Sequence, residues 1–117
     1  SDKMDSCIFC KIIKGEIPSA KVYEDEYVYA FRDINPAAPV HVLVVPKLHI
    51  DSLEQLSDEN IESVVHIHRG IKKVAEITGI NKDGYRVIVN CGKDAGQTVF
   101  HLHYHVLGGT KMNEKIL

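Results

Sequence analysis

The stretch His101-Leu102-His103-Tyr104-His105-Val106-Leu107-Gly108-Gly109 places three of the chain's seven histidines within five residues. Leu102, Tyr104 and Val106 alternate with the imidazoles, and strict alternation is the pattern of a strand with one covered face. Side chains along a strand point to opposite faces in turn, at a rise of about 3.3 Å per residue. Read this way, the three imidazoles line one face at intervals of about 6.6 Å. Groups that titrate near neutral pH, fixed on a rigid element, hold a metal, pass protons or attack phosphorus. Gly96-Gln97-Thr98 stands just before them. The glycine lets backbone approach a ligand closely, while Gln97 and Thr98 add an amide and a hydroxyl. That combination suits an anion, most naturally a phosphate.

Outward from this stretch, the chain alternates short β-rich runs with turn residues and holds one long helical pattern. Residues 7–14 read as a short N-terminal helix ended by Gly15. Residues 21–24 and 27–32 read as strands joined at an acidic turn. The segment Asn35-Pro36-Ala37-Ala38-Pro39 cannot continue a central strand and is a structured loop. Residues 41–45 form an apolar, β-branched run closed by Pro46, a buried strand. Ser57 is placed as the N-cap of a helix running to Thr78 and stopped by Gly79. Its apolar stripe is Ile61, Val64, Val65, Ile71, Val74 and Ala75. Residues 85–90 and 99–107 are the last two strands, separated by a glycine-punctuated loop. The fold class is therefore α+β, a mainly antiparallel sheet with one long helix and a short N-terminal helix.

A chain of 117 residues, 44% hydrophobic and 26% charged, has the balance of one globular domain able to bury a core. We read residues 1–117 as that domain, with 110–117 as a tail and Ser1-Asp2-Lys3 before Met4 set aside as an expression remnant. A net charge of −2 supplies no basic footprint, so nucleic acid is not an expected partner. Apolar runs such as Val42-Leu43-Val44-Val45 are far too short to span a bilayer, so no membrane is expected either. Three cysteines, an odd number, without the pattern of a secretion signal, point to a reducing compartment and a cytoplasmic protein.

The string from Gly96 to Gly109, GQTVFHLHYHVLGG, resembles the signature of the histidine triad (HIT) family, in which three histidines alternate with hydrophobic residues. IFCKIIKGEIPSAKVYED, FRDINPAAPVHVLVVPKLHI and GYRVIVNCG are similar to that family in the same order, so the resemblance spans about Cys7 to Gly109. Gly108-Gly109 is closer to the Hint-like nucleoside phosphoramidase branch than to the dinucleoside polyphosphate hydrolases. The resemblance implies displacement at the α-phosphorus of a purine nucleotide conjugate, with His103 as nucleophile and a covalent nucleotidyl-imidazole intermediate. It further implies that the His101 carbonyl holds the other ring nitrogen of His103. His105 would contact the phosphoryl oxygens, and His41 would complete the histidine network. Gly96, Gln97, Thr98, the backbone at Val99, and Asn90 would surround the phosphate. Asp33 would accept from the ribose hydroxyls, and Ile8, Phe9, Ile12, Phe31 and Ile34 would form the purine slot. Without the resemblance, Asp33 is a turn aspartate and the apolar five are core.

Cys7-Ile8-Phe9-Cys10 is a Cys-x-x-Cys pair, which taken alone serves zinc, redox chemistry or neither. A structural zinc needs two more ligands, and His49 and His101 are the candidates. Members of the wider superfamily carry this Cys-Cys-His-His set, so structural Zn2+ is the expected cofactor, with none needed for the chemistry. The resemblance also implies a homodimer. The leading expectation is hydrolysis of purine nucleoside phosphoramidates. A dinucleoside polyphosphate hydrolase on the same histidines is the second reading, and a zinc-containing nucleotide-binding module with little turnover the third.

Overall fold

The computed structural model describes residues 3–117. Two short helices, α1 (Lys3–Ser6) and α2 (Ile8–Ile13), precede strands β1 (Lys21–Glu24), β2 (Val28–Arg32) and β3 (Val40–Pro46). The long helix α3 (Glu62–Thr78) follows, then β4 (Tyr85–Ile88) and β5 (Tyr104–Gly108), with single 3-10 turns at Leu53–Gln55 and Lys93–Ala95. The strands pair antiparallel in the order β1-β2-β3-β5-β4. The last strand thus inserts between β3 and β4, and β4 is left at an edge. The expected α+β class, antiparallel sheet and pair of helix types are all present.

Both faces of the central strands are covered, which explains why β2 and β3 read as nearly continuous apolar runs. Val28, Ala30, Val42, Val44, Tyr104 and Val106 meet α3 through Ile67, Ile71, Val74 and Ala75. Tyr29, Phe31, Leu43 and Val45 meet Phe9 and Ile12 of α2, together with Cys7 and Cys10. Each fully buried aliphatic side chain contributes about 1.5–3 kcal/mol. The short N-terminal helix is therefore pinned to the sheet on the face away from α3. The histidines emerge on α2's side, because His41 and His105 share the parity of Leu43, Val45 and Leu107 along their strands.

Three expectations are corrected. Helix α3 begins at Glu62 rather than after Ser57. The Ser57 carbonyl accepts from the N–H groups of Asn60 and Ile61, and Ser57 N–H donates to Asn60 Oδ1, so these residues close a turn of their own. The buried stripe contains Ile67 and Gly70 instead of Ile61 and Val65, which are exposed. Gly70 lets the helix approach β2, since a Cβ there would lie 3.0 Å from Val28 Cγ2. The third correction concerns the histidine stretch. Strand begins only at Tyr104, so His105 alone of the three is on a strand, and β4 likewise stops at Ile88, short of Asn90. Val44 pairs with Tyr104, and the ladder would next use Pro46, which has no N–H to give. Residues 97–103 therefore leave the sheet in irregular backbone.

Gly108 closes the sheet against the end of α3. A Cβ there would sit 2.9 Å from both Cβ and Cγ2 of the buried Ile80. Gly108→Ala is expected to cost about 1–3 kcal/mol, the range for overpacking a filled core, seen as a lower midpoint of urea unfolding. A midpoint equal to that of the parent would show that the contact relaxes freely.

Candidate functional site

Once the chain leaves β5 backwards, it runs beside the end of β3 and the segment that follows, and three bonds knit the two together. Leu102 N–H donates to the Ile50 carbonyl at 2.6 Å. His101 Nε2 donates to the Pro46 carbonyl at 2.8 Å. Gln97 Nε2 donates to the Asp51 carbonyl at 2.9 Å and to that of Val99 at 3.0 Å. The Gln97 Oε1 accepts from Gly92 N–H at 2.9 Å. The amide assigned by resemblance to phosphate is thus buried and engaged with the loop's own backbone. Gln97 shapes the loop, and Thr98 beside it is exposed.

His101 has no exposed surface. With Nε2 bonded to a carbonyl, which only accepts, its Nδ1 carries the lone pair. That nitrogen lies 3.3 Å from Cys7 Sγ and 3.5 Å from Cys10 Sγ. His49 repeats the arrangement, with Nε2 2.8 Å from Asp51 Oδ1 and Nδ1 3.3 Å from Cys10 Sγ. The four donor atoms lie within 4.8 Å of one another. Tetrahedral zinc bonds to sulfur and nitrogen imply a sulfur–nitrogen edge of about 3.6 Å. The donor set, its spacing and the oriented imidazoles fit such an ion, and Asp51 and the Pro46 carbonyl supply the outer bonds that fix metal-binding histidines. Asp51 escaped the sequence reading. Its signal was the His49-x-Asp51 spacing after Pro46.

The His101 carbonyl has a second task. His103 Nδ1 donates to it at 2.7 Å, leaving the lone pair of His103 on Nε2. The ring stands edge-on to Phe9, at 5.1 Å between centroids, and to His105, at 5.2 Å. His41 Nε2 lies 2.9 Å from His105 Nδ1 and 3.5 Å from Asp33 Oδ2. The row of three equivalent imidazoles is replaced by a buried ring at the cysteines and two neighbouring rings set edge-on.

Burial pushes the pKa of His103 below the ordinary value, opposed by its bond to the His101 carbonyl and by Asp33. His105 is lowered from 6.5 to about 4, by burial first and then by His103 and His41, with Asp33 opposing. Both are therefore neutral bases at pH 7. On acidification the unfolded chain takes up a proton at His105 near pH 6.5, while the folded chain resists until about pH 4. Stability held above pH 6.5 is expected to fall across that window. Thermal melts should show a shallower fall for His105→Asn than for the parent, and identical slopes would refute this assignment.

Of the expected purine slot, Phe9, Ile12 and Phe31 are buried together, with Phe9 edge-on to Phe31 at 5.5 Å. Ile8 is half exposed above them. Ile34 is 91% exposed and is not packed into this group. Asp33 is partly buried at the end of β2, and Asn90 lies partly buried beyond β4.

Residues 14–112 match the HIT domain family. A HIT family hydrolase from Clostridium thermocellum Cth-393 superposes with a TM-score of 0.94 at 57% identity, covering 97% of this chain and 98% of that one. The purine nucleoside phosphoramidase of Escherichia coli (strain K12) is 45% identical over 105 residues, 90% of this chain and 88% of its own. A 14 kDa zinc-binding protein of Zea mays is 49% identical over 108 residues, 91% of this chain and 84% of its own. The chain belongs to the HIT domain family. Among the described residues no helix is long and apolar enough to cross a membrane.

Proposed function

We propose that this protein is a nucleotide hydrolase that cleaves purine nucleoside phosphoramidates by way of a nucleotidyl–His103 intermediate. The observation that carries the reading is the 2.7 Å bond from His103 Nδ1 to the His101 carbonyl. It leaves Nε2 unprotonated on a neutral ring beside His105 and Phe9, which is what a nucleophile at phosphorus requires. The relationship to a purine nucleoside phosphoramidase supports the substrate class.

In the first step the Nε2 lone pair attacks the α-phosphorus and the bond to the amine nitrogen breaks. The amine departs after gaining a proton from solvent. In the second step water attacks the same phosphorus, the bond to Nε2 breaks, and the nucleoside monophosphate is released with a proton. His105 contacts the phosphoryl oxygens, and Thr98, Gly96 and the backbone at Val99 border the same position. Asn90 lies near the phosphate end. Asp33 accepts from the ribose, and Phe9, Ile12 and Phe31 floor the purine, with Ile8 at its rim. Oriented donors around the charge that develops on phosphorus supply most of the rate gain. Cys7, Cys10, His49 and His101 would hold a zinc ion whose part is structural, tying α2 to the segment before β5. A reducing, cytoplasmic setting suits cysteines that serve as ligands and are not joined in disulfides.

The test compares release of the monophosphate from an adenosine 5′-phosphoramidate and from a diadenosine polyphosphate. Faster release from the phosphoramidate is expected. Release from the polyphosphate alone would favour the second branch of the family, and binding of AMP without turnover of either would leave a nucleotide-binding module.

The proposal includes a homodimer. Val64, Val65, His68, Ile71, Tyr85 and Val87 line an apolar hollow of about 600 Å³ between α3 and the edge strand β4. Unpaired edge strands with exposed apolar neighbours favour pairing with a second copy. Light scattering should give twice the 13.1 kDa chain mass, falling to the single mass in Val87→Lys. A parent that scatters as 13.1 kDa would remove the dimer from this reading.

A further inference from the structure

Which nitrogen of His105 bears a proton decides whether that ring donates to, or accepts from, whatever occupies the site. The answer lies two hydrogen bonds away, in the loop between β2 and β3. The backbone N–H of Ala37 points at His41 Nδ1, 3.0 Å away. A backbone N–H only donates, so His41 Nδ1 accepts and the ring proton of His41 sits on Nε2. His41 Nε2 then donates to His105 Nδ1 at 2.9 Å. His105 Nδ1 therefore accepts, and its own proton sits on Nε2. Asp33 bears on the chain independently. Its Oδ2, 3.5 Å from His41 Nε2, is an acceptor and calls for the same proton on that nitrogen.

The loop is built to hold this amide still. Asp33 N–H donates to the His41 carbonyl at 3.0 Å, and Asp33 Oδ1 accepts from Asn35 N–H at 2.8 Å. Pro36 and Pro39 fix two further φ angles on either side of Ala37 and Ala38. The same reasoning separates Asp33, His41 and His105, whose donor atoms lie close enough for a cation, from the cysteine cluster. A metal on His41 would need the lone pair on Nε2, and the Ala37 amide leaves it on Nδ1.

We propose that the backbone N–H of Ala37 is a positioning group that sets the tautomers of His41 and His105 and so fixes His105 Nε2 as a hydrogen-bond donor. The tautomer assignment stands on geometry alone. Its consequence for turnover, donation to a phosphoryl oxygen, rests on the function proposed above.

The test replaces Ala37 with L-lactic acid, which exchanges the N–H for an ester oxygen of similar shape. Ala37→Pro also lacks the N–H, and Ala37→Gly retains it. Imidazole 15N shifts read the tautomers directly. The parent and Ala37→Gly are expected to show His41 and His105 as Nε2–H. In the ester and in Ala37→Pro the Nδ1–H form should become populated at both rings. With the phosphoramidate, kcat of the ester variant should fall roughly 10²-fold, the lower end of what loss of one oriented donor costs, while KM stays close to that of the parent. A parent with His41 as Nδ1–H would overturn the proposal, whether or not either variant folds. So would folded variants that lack the N–H but keep both tautomers. A tautomer shift in a protein whose parent hydrolyses no phosphoramidate would support the amide's role and overturn the proposed function.

Discussion

His103→Ala is expected to reduce release of AMP from an adenosine phosphoramidate by roughly 10⁴-fold or more, as loss of a nucleophile does elsewhere. The ring is partly buried, and alanine leaves the His101 carbonyl without its donor but disturbs little of the apolar core. Folding should survive, and a melting profile checks that it does. What disappears is the lone pair on Nε2, so water must attack the phosphorus unaided. His105→Ala removes a contact to the phosphoryl oxygens and leaves the nucleophile in place. Its loss should be smaller, on the order of 10²–10³-fold. Rapid quenching offers a second reading that does not depend on rate. Mass spectrometry of the parent during turnover should find a nucleotidyl adduct on His103, and none in the alanine variant. Equal AMP release by parent and His103→Ala would sink the histidine-nucleophile mechanism.

Zinc should raise the melting temperature of the metal-free protein, and Cys10→Ser should abolish the response. Any ligand that binds only the folded chain stabilises it by mass action. At free zinc about a thousand times its dissociation constant the gain is about 4 kcal/mol. For a domain of this size that corresponds to a rise on the order of 15 °C. Cys10 is the informative position because its sulfur is near both His49 Nδ1 and His101 Nδ1, so serine weakens the set at its centre. Asp51→Asn should lower zinc affinity by roughly tenfold to hundredfold, as removal of an outer bond to a metal-binding histidine does. Metal analysis after purification without chelator completes the test. Protein with no zinc, whose melting ignores added metal, would reduce the cluster to two thiols beside two histidines.

Much of the architecture follows from periodicity, and the departures have local causes. The apolar runs at β2 and β3 were legible because both faces of those strands are covered. The stripe on α3 was legible from Ile71 to Ala75, where it lies on the sheet. It failed at Ile61 and Val65, because an apolar residue carries the same signal whether it faces a core or is exposed. Alternation around His101 and His103 predicts strand, yet residues 99–101 bend and the ladder starts only at Tyr104. The deciding residue was Pro46, on a partner strand that no local pattern identifies. The chemistry of the site was legible in part. Spacing marked the Cys7-x-x-Cys10 pair and the family resemblance added His49 and His101, and the four donor atoms do lie together. Gln97, placed at the phosphate by resemblance, has its amide occupied by Gly92, Asp51 and Val99, and nothing in its sequence neighbours reveals that. Asp51 left only the faint signal of its spacing from His49, because it touches that residue's ring, and Ala37 left none, because its contact to His41 is made by the backbone.

The two ends of His101 face different sites, the ring toward the cysteines and the carbonyl toward His103. Alanine scanning reads only one of these ends. His101→Ala deletes every contact of the ring, yet the carbonyl stays in the chain, still able to accept from His103. Whatever rate that variant loses measures how far an unpinned stretch of backbone drifts. A survey that scored residues by lost turnover would credit an imidazole with work done by a peptide bond.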